Sequence, residues 1–98
     1  MTVTEKAELV TTPERADEFA GVLGKAADLL AGEGGAHTVR IQRGVERPEL
    51  FFVLATWDDV DHHLAYRETP AFAEFVGLIK DFLAAPTNME HVTAFIER

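Results

Sequence analysis

The segment 57–72 contains the side chains best suited to chemistry. It reads WDDVDHHLAYRETPAF and carries two adjacent histidines, a tyrosine and an arginine: His62, His63, Tyr66 and Arg67. Residues four apart lie on the same side of a helix, so each histidine shares its side with one of the other two polar residues. An imidazole has an ordinary pKa of about 6.5 and is the natural general base at neutral pH. The segment therefore predicts a base with polar neighbours on a short helix.

Of the two histidines, His63 is the candidate catalytic base. Val60 and Leu64 are apolar and are expected to point towards the core. His63 and Arg67 belong to the same stripe of the helix, which leaves His62 nearer the solvent. Because buried histidines are often structural, the alternative for His63 is a hydrogen-bonded residue that closes the seam between helix and sheet.

Four further side chains are candidates for substrate binding: Trp57, Tyr66, Arg67 and Phe72. The indole N–H and the phenol O–H are donors for a substrate oxygen, the guanidinium attracts an anion, and the phenylalanine belongs to a stripe that can form the ceiling of a pocket. Each has a structural alternative. Trp57 could simply fill the end of a strand, and Tyr66 could be a packing residue. Arg67 could be a surface residue in ion pairs, and Phe72 an ordinary core residue.

His91 is the second candidate catalytic residue. Residues 89–97, MEHVTAFIE, alternate in character, so His91 faces away from Val92. If the Val92 side meets the helices, His91 points to the opposite face of the sheet; in the reverse case it approaches His63. Two histidines without a patterned third ligand are a weak metal signal, and we predict no metal site. His37 begins a strand and receives no role.

The remaining chain supplies the elements that position these residues. Alternating or apolar segments predict strands at 3–10, 36–43, 49–57 and 89–97, and apolar stripes predict helices at 13–31, 58–68 and 70–84. Thr-Pro pairs start the first and the third helix, with threonine as the cap. Gly21 and Gly24 weaken the first helix, and we expect close packing on the sheet to explain them.

This βαββααβ order predicts an α+β fold, a ferredoxin-like antiparallel sheet of four strands with helices on one face. The segment 49–57, ELFFVLATW, is apolar on both sides, as in a central strand. Wet apolar surface is unfavourable by about 25 cal/mol per Å², so the uncovered side needs a cover. We expect a second copy of the chain, which makes the protein a homodimer through the sheet face.

Composition narrows the class of protein. The 98 residues predict one domain over 1–98, with a net charge of -8 that disfavours nucleic acids and anionic membranes. The absence of cysteine excludes disulfides and thiolate chemistry and fits the cytoplasm. The first residues show no basic segment followed by an apolar run, so we expect no signal peptide.

The run LFFVLATWDDVDHHLAYRETPAFAEF, with PTNMEHV near the end, resembles the antibiotic biosynthesis monooxygenase family. The resemblance covers nearly the whole chain. It implies a ferredoxin-like domain that pairs into a dimeric α/β barrel. It also implies a cofactor-free monooxygenase acting on a small aromatic, polyketide-like molecule, because such a substrate reduces oxygen once it is deprotonated.

The resemblance also implies which branch is absent. The haem-degrading branch carries an Asn on the first strand and a His on the helix after the Thr-Pro turn. Here Glu5 and Val76 occupy these positions, and only Trp57 matches. A non-catalytic dimeric module for a small apolar ligand, and an isomerase or lyase using the same pocket without oxygen, remain the alternatives.

Overall fold

A computed structural model describes residues 2–98. Its strands are β1 (Val3–Val10), β2 (Thr38–Arg43), β3 (Leu50–Trp57) and β4 (Asn88–Val92). They form one sheet in the order β2-β3-β1-β4, and every pairing is antiparallel. The segment that is apolar on both sides, β3, lies between two other strands, as predicted for a central strand.

The helices are α1 (Ala16–Ala31), α2 (Val60–Tyr66) and α3 (Pro70–Ile79), which completes the predicted βαββααβ order. Alternate residues of β1 and β3 are buried, and they form a single core with the apolar stripes of α1 and α3. The α+β ferredoxin-like fold is therefore confirmed. Among residues 2–98, none of the helices has the length and hydropathy that a bilayer crossing requires.

The starts of the two long helices differ in their caps. Thr69 caps α3, since its Oγ1 accepts a hydrogen bond from the Phe72 amide at 3.3 Å. Thr12 makes no such bond, because Pro13–Arg15 first form a 3₁₀ turn and the α-helix begins only at Ala16. The predicted cap at the first helix is thus wrong.

The glycines of α1 do not pack on the sheet as expected. A Cβ atom added to Gly21 or Gly24 would meet no atom within 4 Å. Both residues lie on the exposed side of the helix. Close packing therefore does not account for their presence.

β4 is shorter than the predicted strand over 89–97. It pairs only with β1, in a register that places Val92 opposite Thr4. Beyond Val92 the partner strand has nearly reached its first residue, so few backbone groups remain to continue the ladder. Residues 93–98 have no regular structure, and Phe95 and Ile96 are exposed rather than alternating between two faces.

The third helix also ends early as an α-helix. α3 stops at Ile79 and continues as a 3₁₀ turn over Lys80–Phe82. Its apolar stripe nevertheless persists, since the Phe82 ring stacks on Phe19 at 5.1 Å between centroids. This side of the core borders a cleft between the sheet and α3.

Candidate active site

The register of the sheet brings Glu5 and His91 together. Glu5 lies in the centre of β1, with Ala55 of β3 opposite on one side and His91 of β4 opposite on the other. Directly paired residues project from the same face of an antiparallel sheet. Glu5 occupies the buried face with Ala7, so His91 also projects towards the helices. The reverse orientation, left open by the sequence, is therefore the one that forms.

A continuous chain of close polar contacts runs through this region. The Trp57 indole Nε1–H donates to Glu5 Oε1 at 3.1 Å. The same oxygen lies 3.3 Å from His63 Nε2, and the opposite ring nitrogen, His63 Nδ1, lies 2.7 Å from His91 Nε2. We call Glu5, His63 and His91 the buried cluster. It joins two strands and α2 by side-chain contacts alone.

The orientation of α2 differs from the predicted stripe. His63 and Tyr66 are its buried residues, whereas Val60 and Leu64 are 38% and 43% exposed. The inward direction expected for these two aliphatic residues is therefore wrong. The rings explain the difference, because a helix of only seven residues buries more surface by laying His63 and Tyr66 against Trp57.

Trp57 is the centre of this packing. It is fully buried, and His63 stacks on it with 4.6 Å between ring centroids and 22° between ring planes. The centroid of the Tyr66 ring lies 5.2 Å from that of Trp57. The Tyr66 hydroxyl donates to the Leu29 carbonyl of α1. Both polar atoms, the indole nitrogen and the phenol oxygen, are thus engaged by the protein itself.

A cleft of about 170 Å³ opens beside the buried cluster. Its walls are mainly apolar residues of the sheet and of α3. Charged groups lie at its border, and a cavity near this size accommodates one aromatic ring. Among the residues that line it are Glu5, His63, Arg67, Phe72, Phe75 and Lys80.

Burial shifts both Glu5 and His63 towards their uncharged forms. It raises the pKa of Glu5, an effect that the hydrogen bond from Trp57 and the charge of Arg67 counter only in part. Burial, with the nearby His91 and Arg67, lowers the pKa of His63 to about 4. Because both shifts disfavour charge, the 3.3 Å contact of Glu5 with His63 is not a fixed ion pair.

The predicted site residues separate into two groups. His63, Arg67 and Phe72 line the cleft. Trp57, Tyr66 and His91 lie behind its wall and support His63 by stacking or hydrogen bonding. No role was predicted for Glu5, which lines the cleft and contacts Trp57 and His63. Its signal was a charged residue at an inward position of β1, between Val3 and Ala7.

A match to a family model shows which protein family this chain belongs to. Residues 2–78 match the family model described as antibiotic biosynthesis monooxygenase. The chain belongs to this family. That result confirms the resemblance inferred from residues 50–75 and 86–92. No curated protein matches the sequence.

Solved structures show the same fold. A family member from Bordetella bronchiseptica is 25% identical, with a TM-score of 0.88, and covers 97% of this chain and 98% of its own. One from Caulobacter crescentus is 21% identical, with a TM-score of 0.80 and coverage of 97% and 91%. SnoaB, a cofactor-independent oxygenase from Streptomyces nogalater, is 18% identical, with a TM-score of 0.82 and coverage of 98% and 95%.

Proposed function

We propose that this family member is a cofactor-independent monooxygenase of a small aromatic molecule that loses a proton readily. The observation that carries the proposal is the Glu5–His63 pair in the wall of an apolar cleft. The fold is shared with SnoaB, which is described as a cofactor-independent oxygenase. The cleft volume of about 170 Å³ favours a substrate of which one aromatic ring enters the cleft.

The proposed reaction needs only oxygen and a base. A ring CH₂ group activated by a neighbouring carbonyl loses a proton to the protein, and the resulting carbanion transfers electrons to O₂. A carbon–oxygen bond forms, giving a hydroperoxide. Loss of water then leaves a ketone, so that CH₂ and O₂ become C=O and H₂O. The substrate itself supplies all four electrons that reduce O₂.

The Glu5–His63 pair is the proposed base. A raised pKa makes the Glu5 carboxylate a stronger base than an ordinary one, and its Oε2 takes part in neither the Trp57 nor the His63 contact. His63 is neutral at pH 7 and can share the proton. His91, half-buried at the far end, receives it through His63 Nδ1 and returns it to solvent. Such proton transfer contributes about 10²–10⁴-fold to a rate.

Arg67 and Phe72 are the proposed substrate contacts. The Arg67 guanidinium carbon lies 5.7 Å from the centre of the Phe72 ring, and both residues line the cleft. A cation at the mouth of an apolar cleft favours a phenolate or enolate in the transition state. Trp57 and Tyr66 are proposed to act indirectly, by fixing the position of His63.

We further propose that two copies of the chain pair through the outer face of the sheet. The outward residues of β3, Leu50, Phe52 and Leu54, are only half-buried and form an apolar strip between polar neighbours. A second sheet is the simplest cover for this strip. Sedimentation at micromolar concentration tests the pairing, and a stable monomer would contradict it.

One observation favours a second function. Both ring nitrogens of His63 already have protein partners, and a pKa of about 4 makes its imidazole a weak base. These properties suit a non-catalytic module that binds a small apolar ligand. An isomerase or lyase would use the same cleft and base without oxygen.

Oxygen uptake separates these functions. Purified protein is mixed with an anthrone-type phenol in air, and substrate loss, oxygen consumption and ligand binding are measured together. The proposal expects one O₂ consumed per substrate and a loss of turnover in His63→Ala. Ligand binding without turnover indicates the module, and product formed under nitrogen indicates an isomerase or lyase.

A further inference from the structure

A second group of two histidines and a carboxylate lies at the end of the sheet, in solvent. His37 precedes β2, Asp58 follows β3, and His62 is in the first turn of α2. One ligand atom from each residue can be chosen so that all three lie within 4.8 Å of one another. We call these residues the exposed cluster. The proposed oxygenase reaction uses none of them.

The Asp58 carboxylate bridges the two imidazoles. Its Oδ1 lies 2.5 Å from His37 Nε2, and its Oδ2 lies 3.7 Å from His62 Nδ1. Zinc bonds to nitrogen and carboxylate oxygen are about 2.0–2.2 Å long, which places tetrahedral ligand atoms roughly 3.3 Å apart. The two observed separations lie on either side of this value. An ion would have to replace the proton that His37 Nε2 donates to Asp58 and draw the Asp58 and His62 side chains closer together.

Backbone contacts already hold His62 in a metal-binding tautomer. Its Nδ1 accepts a hydrogen bond from the Asp58 amide at 3.0 Å, so this nitrogen carries the lone pair. Its Nε2 is 3.2 Å from the Gly34 carbonyl and donates to it. Donation of the second ring N–H to a carbonyl is the usual support of a metal-bound histidine. The Asp58 amide is the competitor that an ion must displace.

The chemistry of the three side chains also suits a cation. The net charge of -8 attracts cations to the protein as a whole. Neutral imidazoles with a carboxylate form a ligand set suited to zinc and its neighbours in the first transition row, whereas magnesium and calcium prefer oxygen ligands alone.

The buried cluster cannot hold an ion in the same way. His63 contacts Glu5 through Nε2 and His91 through Nδ1, which point in opposite directions from the ring. One ion cannot replace both contacts. The exposed cluster has no such conflict, and its open side leaves room for water as a further ligand.

We propose that His37, Asp58 and His62 form a binding site for a divalent transition-metal ion of the zinc class. An ion there would join the start of β2, the end of β3 and α2. α2 also carries His63, so the ion would fix the helix that bears the proposed base. The prediction of no metal site rested on two histidines without a third ligand, and His37 had been given no role.

Zinc titration of chelator-treated, tag-free protein tests the site, with His37→Gln and Asp58→Asn as variants and His91→Gln as the control. We expect zinc to raise the Tm of the wild type by at least about 5 °C at a large excess over Kd. Each variant should weaken zinc binding at least about ten-fold, and the control should leave it unchanged. Magnesium at the same concentration should have no effect.

Fluorescence localises the ion. Trp57 is the single tryptophan, and its ring lies 5.1 Å from that of His62, so zinc at this site should change its emission. The proposal is overturned if the wild type binds no zinc at about 0.1 mM, if His37→Gln and Asp58→Asn bind as tightly as the wild type, or if only His91→Gln loses binding. Because His37 and Asp58 are exposed, folding of these variants is not in question.

Discussion

Two clusters of the same composition, two histidines and one carboxylate, each take one of two adjacent histidines of α2. His63 belongs to the buried cluster and His62 to the exposed cluster, and Trp57 contacts both rings. Glu5 in the first cluster is almost fully buried, and Asp58 in the second is in solvent. Burial raises the pKa of Glu5, whereas the hydrogen bond from His37 lowers the pKa of Asp58.

The difference shows that environment, rather than residue type, assigns the chemistry. In the buried cluster, low polarity favours neutral groups that can pass a proton along a chain of close polar contacts. In the exposed cluster, a carboxylate and two imidazoles close to solvent suit a cation. Four substitutions test this contrast, from the largest expected effect to the smallest.

Glu5→Gln should have the largest effect. We expect kcat for oxygen uptake to fall by about 10²–10⁴-fold, because the amide cannot accept the proton. Its oxygen can still accept the Trp57 hydrogen bond, and removal of a buried acid should leave the Tm at pH 7 unchanged or higher. Kinetics and thermal unfolding by circular dichroism are the measurements.

Glu8→Gln is the matched control for this substitution, because Glu8 lies on the opposite, outward face of the same strand. It should keep the wild-type kcat. Full activity in Glu5→Gln would show that the buried carboxyl is not part of the base.

His63→Gln should change the pH dependence of stability. The unfolded chain protonates His63 below about pH 6.5, but the folded chain does so only near its pKa of about 4. Between these values the unfolded state binds more protons, so the free energy of unfolding falls as the pH falls. The contribution is roughly 3 kcal/mol, partly offset by Glu5, whose raised pKa acts in the opposite direction.

Urea unfolding between about pH 7 and pH 4 measures this slope in the wild type and in His63→Gln. The variant should lose less stability than the wild type over the interval. Equal slopes would mean that His63 is accessible to protons in the folded protein, and the contrast between the clusters would then disappear.

Trp57→Phe should have an intermediate effect. It removes the donor to Glu5 Oε1 while keeping an aromatic ring near His63. Leaving a buried acceptor without its partner costs about 1–3 kcal/mol of unfolding free energy. A double-mutant cycle with Glu5→Met, followed by circular dichroism, separates the hydrogen bond from the loss of ring volume. A coupling energy near zero would contradict the assigned bond.

Asp58→Asn should have the smallest effect in the absence of metal. Its partners are largely exposed, and exposed ion pairs contribute little to stability. We expect a Tm change below about 2 °C and an unaltered kcat. A large loss of stability in chelator-treated protein would show that the exposed cluster is a structural element in its own right.

Most of the fold was predictable because it depends on local patterns. Alternation marked β1 and β2, the doubly apolar segment marked β3, and the Thr69-Pro70 pair marked the start of α3. The errors concern features without a local cause. The end of β4 depends on where its partner strand ends, and the rotation of α2 depends on the rings around Trp57.

The candidate site was predictable only in part. His63, Arg67 and Phe72 line the cleft, where helical spacing and the Thr-Pro turn position them, and their roles stay predictions. Glu5 was assigned no role, since a single charged residue in a strand does not reveal which distant residue will lie opposite. The same limit applied to His37, whose partners come from the far end of β3 and from α2.

The amino-acid order by itself determined which side chains share a face of each strand or helix, because that choice follows from the two periodicities of the backbone. Only the tertiary structure decided which faces meet. The antiparallel pairing of β1 with β4 sets Glu5 opposite His91, and the packing of α2 lays His63 between them. Burial then changes the acidity of these groups, and burial is a property of the assembled core rather than of any segment.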